Sequence, residues 1–146
     1  MKTYSAKPTD IVRKWYVIDA SQAPLGRLAS RVASLLIGKS KPNFTRHLDG
    51  GDFVIVIRAA ELVVTGNKTM QKRYYRHSNY PGGLKQATLS QVMARDPTRV
   101  IIQAVRGMLP VNSWREQRLK RLKVYPGDEH AHAAQKPEVI DIKAGK

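Results

Sequence analysis

The stretch WYVIDASQAPLGRLASRVASLLIG, residues 15–38, carries the pattern from which the fold follows. Trp15 to Asp19 is a short aromatic and β-branched run, the composition of a strand. A turn follows. Pro24 then stands at a helix-opening position, where its fixed φ suits the first turn and its missing N–H is no loss. Leu25, Leu28, Ala29, Val32, Ala33 and Leu36 recur at spacings of three and four, with Arg27, Ser30, Arg31 and Ser34 opposite them. Gly38 supplies the stop. Strand, loop and amphipathic helix are therefore expected in that order.

Phe53 to Ile57 is a continuous apolar run of the kind found in strands covered on both faces. A parallel or mixed sheet flanked by helices is the arrangement that buries it. Leu62 to Thr65 is expected as a further strand, and Thr69 to Tyr75 as an extended segment leading to a loop at Asn79, Pro81, Gly82 and Gly83. Thr88 with Gln91 has the spacing of a capping box and opens a short helix that ends before Asp96. Asp96 and Pro97 start another helix, whose stripe Val100, Ile101, Ala104, Val105 and Met108 docks on the sheet, with Gly107 and Pro110 terminating it. Ser113 and Glu116 repeat the capping spacing, so a helix beginning at Trp114 is expected. Beyond Pro126 the chain is loop-like, with a short apolar run from Val139 to Ile142.

Charge narrows the partners. The chain has 146 residues with 26 Lys and Arg against 11 Asp and Glu, a net charge of +15. Residues 1–73 hold 13 basic and 5 acidic groups and residues 74–146 hold 13 and 6, so the excess belongs to the body and not to a tail. Such self-repulsion opposes compaction unless an anionic partner screens it. Nucleic acid fits better than a membrane surface, because no helix sets one broad apolar face against a basic one. No apolar run approaches the roughly 20 residues that span a bilayer. The first ten residues, MKTYSAKPTD, hold no apolar signal core and no transit-type leader is visible. There is no cysteine, which removes disulfides, thiol catalysis and thiolate metal sites. A cytoplasmic protein of one domain is expected, with hydrophobic residues at 42% sufficient for a single core.

Several basic clusters are candidates for phosphate contact. Between Val105 and Gly127 six Lys or Arg face the single acid Glu116. These are Arg106, Arg115, Arg118, Lys120, Arg121 and Lys123, and with only Leu119 and Leu122 as an apolar stripe the helix after Ser113 is expected to lie at the surface. A solvated, merely solubilising helix is the plainer alternative. Lys68, Lys72, Arg73 and Arg76 are interleaved with Tyr74, Tyr75 and His77, a mixture that can neutralise phosphates while rings stack on bases or riboses. The alternative is a strand whose tyrosines are half-buried. Lys39, Lys41 and Arg46 surround a helix end, where cations also complement the helix dipole. Thr65 to Lys68 lacks the glycine spacing of a nucleotide loop and reads as a turn. Gly82 and Gly83 after proline need nothing beyond a turn.

His130 and His132, beside Asp128 and Glu129, form the one cluster resembling a metal site. A third ligand and a general base are not recognisable, no HExxH pattern occurs, and no GxSxG elbow accompanies the Ser, His and Asp residues. A His-rich loop making hydrogen bonds, including to RNA, is the structural account.

Taken in order, eight blocks resemble the family of the thirteenth protein of the bacterial large ribosomal subunit. They are KTYSAKP (2–8), WYVIDA (15–20), PLGRLAS (24–30), VTGNK (64–68), YYRHSNYPGGLKQAT (74–88), VRGMLP (105–110), LKVYPG (122–127) and EHAHAAQKP (129–137). Two departures stand out. Asn79 occupies a position where the resemblance implies glycine, and Asn is the side chain that best tolerates a left-handed backbone. Between Pro110 and Leu122 the chain reads VNSWREQRLKR in place of a glycine-containing stretch like KNxLGR.

The resemblance implies an α/β fold, a three-layer α/β/α sandwich around a small, mostly parallel sheet of about four strands, with extended termini and a basic C-terminal helix. The expected division is an extension over residues 1–13, a body over 14–142 and a tail over 143–146. It further implies a structural constituent of the large subunit that stabilises large-subunit ribosomal RNA, acts early in assembly, adjoins neighbouring ribosomal proteins, and has no catalysis, cofactor or small-molecule substrate. Phosphate and 2′-hydroxyl contacts from dispersed cations are what such a role needs, so Lys85 joins Arg106 and the other cations from within the matching blocks. The rival functions are an RNA-processing enzyme with a His and acid metal site at residues 128–132, and a stand-alone regulator that binds messenger RNA.

Overall fold

The computed structural model describes residues 4–142; the expected tail over 143–146 and the first three residues of the expected extension lie outside the described residues. Strand β1 (Trp15–Asp19) leads through a 3-10 turn into helix α1 (Leu25–Ile37) and on to β2 (Phe53–Ile57). Helices α2 (Lys68–Gln71), α3 (Leu89–Arg95), α4 (Pro97–Met108) and α5 (Trp114–Lys120) follow, together with strands β3 (Arg73–His77), β4 (Leu84–Thr88), β5 (Leu122–Val124) and β6 (Glu138–Val139).

Two sheets result. The first has the order β5-β2-β1-β6 with every pairing parallel, Trp15 lying opposite Phe53 and Val54 opposite Leu122. The second is an antiparallel ribbon of β3 and β4 alone. The apolar runs at β1 and β2 thus become the two central strands of the parallel sheet, where Val17, Ile18, Val54, Ile55 and Val56 are buried. Alternation divides their faces. Ile18, Val54 and Val56 join Leu28, Val32 and Leu36 of α1 and Val100, Ile101 and Val105 of α4 in one cluster. Each such side chain contributes about 1.5–3 kcal/mol through burial. On the other face Trp15 and Phe53 stack at 4.3 Å, and the His132 ring lies 5.0 Å from Trp15. The segment that carries His132 covers part of that face, its ring also lying 6.0 Å from that of Tyr125.

Helix starts and stops follow local chemistry in most places. Gly38 adopts φ 79° and donates to the Ser34 and Leu35 carbonyls, as its expected role requires. Thr88 and Gln91 form the reciprocal cap of α3, and the Asp96 side chain accepts from Thr98 to open α4. The loop from α1 to β2 returns so tightly that a Cβ on Gly51 would meet the Leu36 carbonyl oxygen at 1.7 Å. Only glycine passes there.

Five expectations need correction. Leu62 to Thr65 forms no strand: a 3-10 turn (Ala59–Glu61) precedes it and a single bridge ties Val63 to Pro24. The segment expected to be extended from Thr69 begins as α2, because the Asn67 carbonyl accepts from both Met70 and Gln71 after Gly66 turns the chain with φ 68°. Strand β4 was not expected from LKQAT, a polar run that only its pairing with β3 makes extended. Gly107 lies inside α4, which ends at Met108 with Leu109 as its extended cap. Ser113 makes no side-chain cap, since its backbone is already helical at φ −59° and ψ −28°, and a capping hydroxyl needs an extended backbone there.

Candidate nucleic-acid interface

The ribbon gathers the densest set of expected contact residues. Its register places Arg73 opposite Thr88, Tyr75 opposite Gln86, Arg76 opposite Lys85 and His77 opposite Leu84. Period-two alternation puts Arg73, Tyr75 and His77 on one face and Tyr74 and Arg76 on the other. Tyr74 packs against the core cluster, its hydroxyl is buried without a partner, and burial pushes its pKa up. Lys72 lies 5.4 Å over the Tyr74 ring. Tyr75, at 61% exposed, has the free ring of the pair, on the ribbon face that also carries exposed Leu84. The loop between the strands turns at Asn79 with φ 63°, the left-handed conformation its side chain tolerates. The Asn79 N–H donates to Nδ1 of His77 at 2.9 Å.

Ion pairing sorts the cations into two groups. Lys14, Lys41, Arg58, Arg106, Arg118 and Arg121 have carboxylate partners. The cations of the ribbon and its flanks, Lys68, Lys72, Arg73, Arg76 and Lys85, pair with no acid among the described residues, and Arg73 bonds only to Gln86 at 3.1 Å. A buried pair gives up its charge to the fold, whereas an exposed unpaired guanidinium keeps it for a partner.

Four expected contact residues are therefore placed differently. Arg118 and Arg121, expected on a surface helix, are 3% and 6% exposed. Arg121 donates to both oxygens of Asp49 at 2.5 and 2.8 Å and to the Leu36 carbonyl at 3.0 Å, while Arg118 donates to Asp49 at 3.1 Å. Burial pushes Asp49 up, but the hydrogen bonds and charges of Arg121 and Arg118 outweigh it and hold the carboxyl below its ordinary value. Lys41 spends its three protons on Asp52 at 2.7 Å and on the Val12 and Gly50 carbonyls at 2.8 and 2.9 Å. His132 is packed against Trp15 and shares a 3.0 Å hydrogen bond with the Tyr125 hydroxyl.

The rest of the expected set is scattered. Arg27, Arg31, Lys39, Arg46 and Lys120 are exposed away from the ribbon strands, and Lys123 on β5 is half-buried. Arg115 donates twice to the Arg106 carbonyl, and Arg106 pairs with Glu116 at 3.0 Å. His130 accepts from the His132 N–H at 3.2 Å. Among the described residues no three His, Asp or Glu side chains gather in a way that could hold a metal ion, and no helix is long and apolar enough to cross a membrane.

The structure adds residues that the sequence pattern concealed. A cleft of about 960 Å³ opens between the ribbon and helices α3 and α4, with Arg76 and Lys85 on one side and Arg95 and Arg99 on the other. Arg95 and Arg99 were not expected as contacts. Their signal was present as cations flanking the Asp96 and Pro97 helix junction, but nothing in linear order aims them at the ribbon.

Known proteins are similar to this chain along almost its whole length. The large ribosomal subunit protein uL13 of Symbiobacterium thermophilum is 55% identical over 141 residues, covering 97% of this chain and 99% of that protein. That of Thermobifida fusca is 56% identical over 142 residues, covering 97% and 95%. That of Listeria innocua is 54% identical over 141 residues, covering 97% of each. The family described as ribosomal protein L13 matches residues 13–131, from the lead-in to β1 through the histidine-bearing loop. The chain belongs to the ribosomal protein L13 family.

Proposed function

We propose that this large-subunit ribosomal protein binds and stabilises large-subunit ribosomal RNA, acts early in subunit assembly, and does so as a structural component and not as an enzyme. The observation that carries the proposal is the ribbon: Lys72, Arg73, Arg76 and Lys85 are exposed and have no acidic partner among the described residues, and Arg73 shares its face with the open ring of Tyr75. Cations neutralise phosphates and a free ring stacks on an unpaired base, the combination suited to irregular RNA. Lys68, His77, Arg27, Arg31, Lys39, Arg46, Arg106, Arg115, Lys120, Lys123 and His130 supply further dispersed contacts to RNA or to neighbouring ribosomal proteins. Residues 14–142 act as one body in this role, in the cytoplasm within the subunit.

Sedimentation of cell lysate through a sucrose gradient tests the proposal. The tagged chain is expected with large subunits and with their incomplete precursors. The triple variant Arg73→Gln, Arg76→Gln, Lys85→Gln is expected to shift to the top of the gradient. Normal incorporation of that variant at physiological salt overturns the RNA contact, and presence in mature subunits but never in precursors overturns the early role.

A further inference from the structure

We infer that the cleft between the β3-β4 ribbon and helices α3 and α4 is a seat for a single-stranded stretch of RNA that passes between two cationic walls. The inference rests on the proposal that the ribbon meets RNA and deepens it by naming the form of RNA held there. Arg76 and Lys85, cross-strand neighbours in the ribbon, make one wall; Arg95 at the end of α3 and Arg99 in the first turn of α4 make the other. None of the four forms a salt bridge with an acid among the described residues. The one carboxylate lining the cleft, Asp96, is committed to the start of α4, where it accepts from the Thr98 N–H at 3.1 Å and hydroxyl at 2.6 Å. Asp96 offsets part of the Arg99 charge, and four cations against this one carboxylate leave the cleft with a positive surplus.

Size and lining decide the occupant. A volume of about 960 Å³ is near the top of the roughly 300–1,000 Å³ range of pockets that enclose a small ligand, so a few nucleotides fit and a double helix does not. A duplex presents its phosphates on a convex outer surface and reaches one wall at most, whereas a single strand threaded through the cleft meets cations from both sides. Tyr75 borders the cleft from the opposite face of the ribbon, and Gln86 and Gln91, whose Oε1 atoms already accept from Arg73 and from the Thr88 N–H, keep their amide N–H donors for base edges. An acidic protein segment would satisfy the cations and the amides but brings no base to stack on the ring.

The test uses the full chain with three probes of equal length: a labelled oligouridylate, an RNA duplex, and polyglutamate. The expected result for Arg95→Gln, Arg99→Gln is weaker oligouridylate binding, with a log–log salt slope flatter by about 1.4 units for two lost phosphate contacts, while duplex binding is unchanged. The Lys-for-Arg double variant at the same positions is expected to restore most of the slope. Both arginines are exposed, and a thermal melt confirms that the Gln variant is folded. Equal losses for single strand and duplex overturn the inference in favour of an open surface. Polyglutamate binding as tight as oligouridylate, with the same loss, overturns it in favour of a protein partner. If the double variant alters nothing while the ribbon variant still fails to enter subunits, the seat is wrong and the ribbon proposal stands; if neither variant alters anything, both fall.

Discussion

Arg121 grips both carboxylate oxygens of Asp49 from a position 72 residues further along the chain, and both side chains are almost fully buried. With Arg118 added, two cations of the most basic helical segment are turned inward and pin α5 and the start of β5 to the loop between α1 and β2. Removing the shared acid leaves two guanidinium groups buried without a counter-charge. Asp49→Ala is expected to cost about 3–5 kcal/mol, the usual penalty for breaking a buried pair from one side. Urea denaturation measures it, and a loss below 1 kcal/mol would show that water reaches the site.

The same pair dictates acid sensitivity. The folded carboxyl of Asp49 titrates below its unfolded value of about 3.9, so its contribution is complete above that pH and is lost as pH falls through the lower folded value. Asp96, lowered chiefly by the Thr98 hydroxyl, acts in the same direction. Stability measured in urea is expected to decline below about pH 4 in the natural protein. In Asp49→Asn the decline is expected to be shallower, from a lower plateau.

Charge removal is expected to have opposite consequences at two places that look alike in sequence. Arg118→Gln with Arg121→Gln should lower the melting temperature before any RNA is present. Lys120→Gln with Lys123→Gln should leave stability within about 0.5 kcal/mol and flatten the salt dependence of subunit association by about one log unit per lost phosphate contact. Calorimetry together with salt-titrated incorporation separates the two cases.

Gly51→Ala should be among the most disruptive single changes, because the added methyl meets backbone and not a movable side chain. Overpacking of this kind costs about 1–3 kcal/mol or more. At Asn79, by contrast, the backbone is already left-handed, so Asn79→Gly is expected to be nearly neutral and Asn79→Ile strained. Melting temperatures of the three variants give the order.

Features set by near neighbours in the chain were legible in the sequence. The three-and-four spacing of α1, the apolar runs of β1 and β2, and the caps at Thr88 and Asp96 depend on residues a few positions apart, and each appears where its pattern placed it. What escaped depends on distant partners. LKQAT has no strand period of its own and is extended because RYYRH lies beside it. Arg118, Arg121 and Lys41 carry the same charge as Arg73 and Lys85, and only Asp49 and Asp52, brought in from remote positions, separate fold-holding cations from free ones. Arg95 and Arg99 were hidden for a related reason: their helices were recognised by their apolar stripes, and the opposing ribbon wall is a tertiary fact.

Strands β3 and β4 bond to each other and, among the described residues, to no third strand, so each leaves an outer row of amide and carbonyl groups without a neighbour. An isolated pair of this kind is marginal in water. Whatever comes to rest on it also completes its ordering. Hydrogen exchange at those amides will therefore run fast in the free protein and slow once the particle has closed around it.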